Sequence, residues 1–328
     1  MADLNSFRDS ISDDSGKQLV LTDRIETLIK WLKSLHGGEH ATFALIDCGR
    51  AAAPALRRVL NDRDPSGIFE PRCRAARALA AIGARELLLQ FLDAPHDVAD
   101  SVARLGEEAV INTVARALIG WHTSELYEKL LRMARRQLLP GVIEALADFG
   151  RSEAIPIMVA ALADDFSRAP AEDGLRKLGI SAKEALIETA KAKEPSPEWE
   201  SPSSLRRRRS ALQLLLEIDG KSGAWTRLRC LLYDGDPTVV YLACKLCLSN
   251  REAADSTQAI KRLIALLRDA DWFLAGEIED CLVQNFSATR RVVDHTLKNT
   301  PDLLHAPRSE MRLFRTLQRV KARGEASA

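Results

Sequence analysis

Glycines placed at the ends of apolar helical runs punctuate this chain, and that pattern restricts it to an architecture of repeated helical pairs. The clearest instance is A-L-I-D-C-G-R-A-A-A-P-A-L-R-R-V-L, residues 44–60. An apolar helical end reaches Leu45 and Ile46. Gly49 stops it, because glycine tolerates the left-handed backbone that a helix end favours. A second helix follows at once, with Leu56, Val59 and Leu60 on one face and Ala52 and Ala55 beside them. Pro54 falls in its first turn, where a missing N–H costs little. Two short antiparallel helices around a glycine corner cannot bury their own apolar faces, so copies have to stack.

The copies are present. Gly83, Gly106, Gly150, Gly179 and Gly220 each follow an apolar helical run, and Pro156 again falls just inside the helix after its glycine. Asp62-Arg63-Asp64-Pro65 and Asp234-Gly235-Asp236-Pro237 each supply a turn, a capping aspartate and a proline to open a first helix. The uneven glycine spacing reads as insertions and lost corners.

D-x-D-P opening a helix, A-x-x-A-L-A-x-I-G closing it and G-x-x-A-x-P-x-L starting the next make the chain resemble the HEAT-repeat family. Within that family it resembles the short bacterial HEAT-like repeats of the phycobilin-lyase (PBS-lyase) type, from about Glu39 to Leu267. The resemblance implies an all-α, right-handed solenoid of stacked antiparallel helical hairpins. It implies little about activity, because such arrays serve as scaffolds, adaptors, nucleic-acid binders and occasionally enzymes.

Length and composition agree with a solenoid. A chain of 328 residues exceeds the roughly 250–300 at which single cores stop growing, and a one-dimensional array escapes that limit. Apolar content is 46% with only 5% aromatics, so the core is Ala- and Leu-rich, as closely stacked helices require. Net charge is +1, but residues 1–204 carry 26 Lys and Arg against 31 Asp and Glu, and residues 205–328 carry 21 against 15. Six scattered cysteines form no disulfide framework. The start has neither a basic nor an apolar leader segment, and no run reaches the roughly 20 apolar residues of a membrane helix. The expectation is a cytoplasmic monomer without cofactor or metal.

The domain layout follows from these signals. Residues 1–38 form an N-terminal segment and capping helix, opened by a capping box at Asp23 and Glu26. Residues 39–191 carry repeats of an acidic half, with helices expected at 96–105 and 107–119 on either side of Gly106. Residues 192–204 are a Pro/Ser-rich linker, 205–297 the repeats of a basic half, and 298–328 a basic capping helix and tail.

Several residues invite chemistry. His36, Glu39 and His40 surround two glycines, which breaks the one-turn spacing of a zinc pair and favours a linker. His96 sits in a turn and reads as surface. Trp121 reads as packed under a loop. Trp199, between Glu198 and Glu200, is the sticky residue of the linker. Cys244 and Cys247 form a mid-helix C-x-x-C that reads as core. Arg206, Arg207, Arg208 and Arg209 span about 300° of a helix, so at least one must lay its stem on apolar surface. Charge-assisted contacts to Glu198 and Glu200 are the simpler account of them, and an anion site the sharper one. On the last helix, Leu313, Phe314, Leu317 and Val320 line one side and Arg308, Arg312, Arg315 and Arg319 the other. A polar outer cap and a basic binding stripe both fit.

No hydrolase elbow, zincin helix, phosphate loop or dinucleotide fingerprint is present, so an enzyme is not expected. The favoured reading is a protein-binding scaffold whose concave face is lined by second helices, with Arg57, Arg58, Arg116, Arg227, Arg229 and Arg262 on or near it. The alternative is a nucleic-acid binder or processor of the HEAT-like DNA glycosylase kind, drawing on the arginines after 205. A phycobilin-lyase role is a third option.

Overall fold

The computed structural model describes residues 19–63, 68–194, 199–219, 224–250, 253–299 and 307–326. The Ser/Asp-rich residues 1–17, the Asp64-Pro65 turn, Glu198 and the Gly220 corner lie outside them. The described residues are helical or in turns, with no strand among them. The fold is an all-α solenoid, as the glycine punctuation requires.

Two compact units result, Met1–Arg151 and Ser152–Ala328. In the first, α1 (residues 19–31) precedes α2 (Gly38–Asp47), α3 (Ala53–Asn61), α4 (Glu70–Ala81), α5 (Arg85–Asp93), α6 (Ser101–Ala117), α7 (Ser124–Arg136) and α8 (Pro140–Phe149). Helices α2, α4, α6 and α8 pack in succession as one layer, and α3, α5 and α7 form a second. The other unit holds α9 (Ile155–Ala161), α10 (Arg168–Leu178), α11 (Lys183–Lys191), α12 (Pro202–Asp219), α13 (Ala224–Leu228), α14 (Pro237–Asn250), α15 (Ala253–Leu266), α16 (Trp272–Gln284), α17 (Phe286–Lys298) and α18 (Arg308–Ala326). Here α10, α12, α14, α16 and α18 form one layer, while α9 packs on α11, α11 on α13 and α15 on α17 in the other. Helices α11 and α12 pack closely against each other across residues 192–201, so the Pro/Ser stretch lies inside one unit. Pro202, read as linker, opens α12.

The corners behave as glycine chemistry predicts at Gly49, Gly83, Gly150 and Gly179, all with positive φ, and Gly120 joins them. Gly106 does not. Helix α6 runs through it unbroken, and the residue is buried with Phe69 packed on it: an added Cβ would meet the Phe69 ring at 3.2 Å. The helices expected at 96–105 and 107–119 are therefore one. That shifts the phase of the array, and it moves Arg116 from a second helix into the layer of first helices. The capping box is also corrected. Residues 19–31 are already helical, so Asp23 is an interior residue whose carbonyl accepts from Thr27 Oγ1 at 2.9 Å. The D-G-D-P cap stands: Asp236 Oδ1 accepts from Val239 N at 2.9 Å, and Pro237 opens α14.

Buried charge ties successive hairpins together. Arg72 is 5% exposed. Its Nε donates to the Leu60 carbonyl at the end of α3, 2.8 Å away, and its Nη1 to Glu107 of α6 at 2.6 Å. Glu107 also accepts from His96 Nδ1 at 2.7 Å and from Arg63 at 3.1 Å. His96 is thus a half-buried partner of Glu107, contrary to its reading as surface. Burial alone pushes the Glu107 carboxyl up; the hydrogen bonds from His96 and Arg72 and the two guanidinium charges outweigh it and hold it at about 2. The C-x-x-C thiols are core residues as expected. Cys244 and Cys247 are fully buried, burial raises the Cys244 thiol, and Cys281 is pushed up to about 11.

Two helical glycines should respond oppositely to a methyl group. Gly141 opens α8 against α6, where a Cβ would lie 2.4 Å from the Asn112 carbonyl oxygen. Gly141→Ala should cost about 1–3 kcal/mol by overpacking. Gly276, within α16, has nothing within 4 Å of a Cβ, so Gly276→Ala should gain about 0.5–1 kcal/mol from helix propensity. Urea denaturation of both variants tests the signs.

Glu107 carries a pH signature. Its folded pKa lies below the ordinary 4.5, so its contribution to stability is complete above about pH 4.5 and is lost as pH falls toward 2. Glu107→Gln leaves Arg72 buried without its counter-charge. It should cost about 3–5 kcal/mol at pH 7 and flatten the melting temperature's dependence on pH across that window. An unchanged acid limb in the variant would refute the assignment.

Candidate functional site

Most of the arginines picked out by sequence are occupied by neighbouring helices. Arg58 of α3 pairs with Glu26 of α1 at 2.6 Å, and Arg116 of α6 with Glu144 of α8 at 2.6 Å. Arg227 of α13 bridges Glu184 and Glu188 of α11, both at 2.6 Å. Arg229 pairs with Asp255 at 2.6 Å. Arg262 of α15 donates to the Leu232 carbonyl at 2.8 Å and lies over the Tyr233 ring. Arg57 is exposed. Arg58 and Arg116 lie in the first unit, and Arg227, Arg229 and Arg262 in the second.

The run 206–209 divides by helix face. Arg206 reaches the Ala163 carbonyl and Asp165, Arg207 the Ala192 carbonyl, and Arg209 Asp236. Arg208 is the stem that the geometry demanded be buried, at 0% exposure. Its Nε donates to the Ala190 carbonyl at 2.9 Å, and its two amino groups reach Glu200 and Asp234 at 2.5 Å each. The expected contact to Glu200 forms. Asp234 is drawn down: burial raises it, but hydrogen bonds from Arg208, the Asp236 backbone and Lys193 outweigh that. Arg208 therefore leaves the set of residues a partner can touch. Trp199, beside the pinned Glu200, is 81% exposed. Trp121 is half-buried.

The stripe on α18 is different, because it borders a groove. Helices α16 and α18 enclose about 540 Å³ between Trp272, Gly276 and Glu279 on one side and Arg308, Met311, Arg312, Arg315 and Arg319 on the other. The inner side of α18 buries Leu313, Leu317 and Val320, with Phe314 half-buried, which turns the arginines outward. Two of them clamp the helices together. Arg312 donates to the carbonyls of Ala270 and Asp271, just ahead of α16, and Arg319 pairs with Glu279 at 2.8 Å. Arg323 adds bonds to Glu279 and Asp280, which hold its guanidinium above the ordinary range. Arg308 and Arg315 are exposed and make no ion pair among the described residues. Asp271 caps α16 by accepting from Leu274 N at 2.8 Å. That cap fixes the next two residues, Trp272 and Phe273, 84% and 64% exposed with their rings edge to face at 6.0 Å.

Sequence reasoning found the arginines of this groove and missed its other wall. The available signal was D-W-F at a helix start: a capping aspartate followed by two aromatics in the first turn, ahead of the apolar run that begins at Leu274.

No family model matches the chain, and no curated protein matches it. Among solved structures it is similar to an engineered protein at 18% identity, covering 92% of this chain and 99% of that one, TM-score 0.35. It is also similar to the CpcE–CpcF complex of phycocyanin lyase from Nostoc sp. at 20% identity, covering 74% and 94%, TM-score 0.32. A third similar structure is human deoxyhypusine hydroxylase in complex with glycerol, at 14% identity, covering 85% and 99%, TM-score 0.31. At such identities and TM-scores the likeness carries no functional information.

The arginines should separate in a stability assay. Arg208→Ala removes the buried counter-charge of Asp234 and Glu200 and should cost about 3–5 kcal/mol. Arg315→Ala, exposed and without an ion pair among the described residues, should change stability by less than about 0.5 kcal/mol. Thermal melts of both variants check this.

Proposed function

We propose that the chain is a non-enzymatic scaffold or adaptor of the HEAT-like kind, working in a reducing cytoplasm and binding a protein partner. One observation carries the reading. Arg308 and Arg315 are exposed and have no ion pair among the described residues, beside the exposed Trp272 in the α16–α18 groove, whereas most of the other candidate arginines are neutralised by ion pairs within the array. Exposed aromatic and arginine side chains flanking a cleft are the composition of protein-binding hot spots. The six cysteines form no disulfide among the described residues, which suits a reducing compartment. Among the described residues no helix is long and apolar enough to cross a membrane.

A nucleic-acid reading draws on the same groove, since an indole beside arginines can stack a base. Charge weighs against it. The groove offers four arginines, two of them already engaged, where a duplex binder typically makes 6–10 phosphate contacts. The acidic balance of residues 1–204 would also repel a backbone laid along the whole array.

Affinity capture of the crosslinked full chain from its native cell, followed by reconstitution with the purified candidate, should yield a stoichiometric protein complex. Duplex DNA and RNA should not shift on a gel near 150 mM salt. A tight shift there that Arg308→Ser with Arg315→Ser abolishes would reverse the ranking.

A further inference from the structure

We infer that the α16–α18 groove takes an extended acidic segment of the partner, carrying two carboxylates three residues apart with an apolar residue between them. This rests on the scaffold reading and names its binding chemistry.

The charge in the groove sets the sign of the ligand. Arg312 and Arg319 are held by α16, and Glu279 is answered by Arg319 and Arg323. Arg308 and Arg315 stand exposed with no acid among the described residues to neutralise them. Two guanidinium groups aimed at solvent beside an aromatic wall match carboxylates, which arginine binds in a planar, two-pronged geometry.

Spacing sets the conformation. Arg308 and Arg315 are seven residues apart on one helix face, a rise of about 10 Å at 1.5 Å per residue. A polyproline-II segment advances about 3.1 Å per residue and returns to the same edge every three residues, about 9 Å on. Acidic residues at positions i and i+3 therefore meet both arginines. The residue between them falls on a different edge, available to the Trp272 indole. A partner helix would need its acids seven residues apart to span the same rise of about 10 Å, whereas the extended segment meets both arginines with acids only three apart.

Gly276 supplies the depth. A glycine inside a helix costs about 0.5–1 kcal/mol against alanine, and packing does not require this one: no atom lies within 4 Å of its would-be Cβ. It sits one turn after Trp272 on the groove wall and keeps the floor open to a ligand backbone. Filling it should block the groove without harming the fold.

The test is fluorescence anisotropy of the full chain with a labelled peptide whose core is Glu-Pro-Leu-Glu, in 50 mM salt. Controls are Lys-Pro-Leu-Lys and the spacing variant Glu-Glu-Pro-Leu. The first peptide should bind at least tenfold more tightly than either control. Arg308→Ser with Arg315→Ser should weaken it about tenfold, and Gly276→Leu at least as much with an undiminished melting temperature. Binding that ignores spacing, survives Gly276→Leu or falls equally with Arg57→Ser overturns the inference. So does absence of binding at millimolar peptide, or an oligothymidine that competes for the groove more tightly than the peptide. If the reconstituted partner binds these variants as it binds the parent chain, the groove assignment fails while the scaffold reading stands. If no partner can be reconstituted with the parent chain, the scaffold reading itself fails.

Discussion

An arginine placed on the open carbonyls at the end of the preceding hairpin is the contact on which the stacking depends. The last turn of a helix leaves carbonyls without an intrahelical partner and carries partial negative charge. In this chain Arg72 closes on Leu60 of α3, Arg208 on Ala190 of α11, and Arg262 on Leu232 before α14. The first two are almost wholly buried and turn the rest of their guanidinium to acids of a following element, Glu107 in one unit and Asp234 in the other. An Ala- and Leu-rich interface slides easily, because one small apolar face fits another in many registers. A buried fork that must find one carbonyl and one carboxylate together accepts a single register, since leaving either charge alone in the core is costly.

That use of arginine also shapes the surface. Arg58, Arg116 and Arg227 are answered across adjacent helices, so much of their charge is spent within the array. At α18 two arginines of one groove stay unanswered. There the helix reaches back to α16 with Arg312 and Arg319, and Arg308 and Arg315 find no acid among the described residues. The adjoining aromatics are exposed for a related reason: the Asp271 cap fixes the helix start, and the apolar inner side of α16 begins only at Leu274.

Much of the fold was legible. Gly49, Gly83, Gly150 and Gly179 were read as corners because no other residue takes positive φ so readily. Gly106 was misread because the same residue also serves where two helices approach closely, and only the position of Phe69 tells the two uses apart. His96 looked exposed from its turn-forming neighbours, Pro95 and Asp97; its burial comes from Glu107, eleven residues on. The arginine stripe of α18 was legible as a face, because helical periodicity is local. Its opposite wall was not, because Trp272 and Gly276 come 36 and 32 residues earlier than Arg308.

The sequence alone determined what depends on near neighbours. It set helix against strand through the spacing of apolar residues, corner positions through glycine, the cap at Asp236, and the necessity that one of four consecutive arginines be buried. Tertiary structure decided which arginine that was, and it decided which of the rest stayed exposed without an ion pair among the described residues. The physical reason is that a guanidinium's fate depends on whether a carboxylate or an open carbonyl lies within about 3 Å of it. For Arg208 those groups are Ala190, Glu200 and Asp234, residues 18, 8 and 26 positions away that only the stacking of successive hairpins brings together.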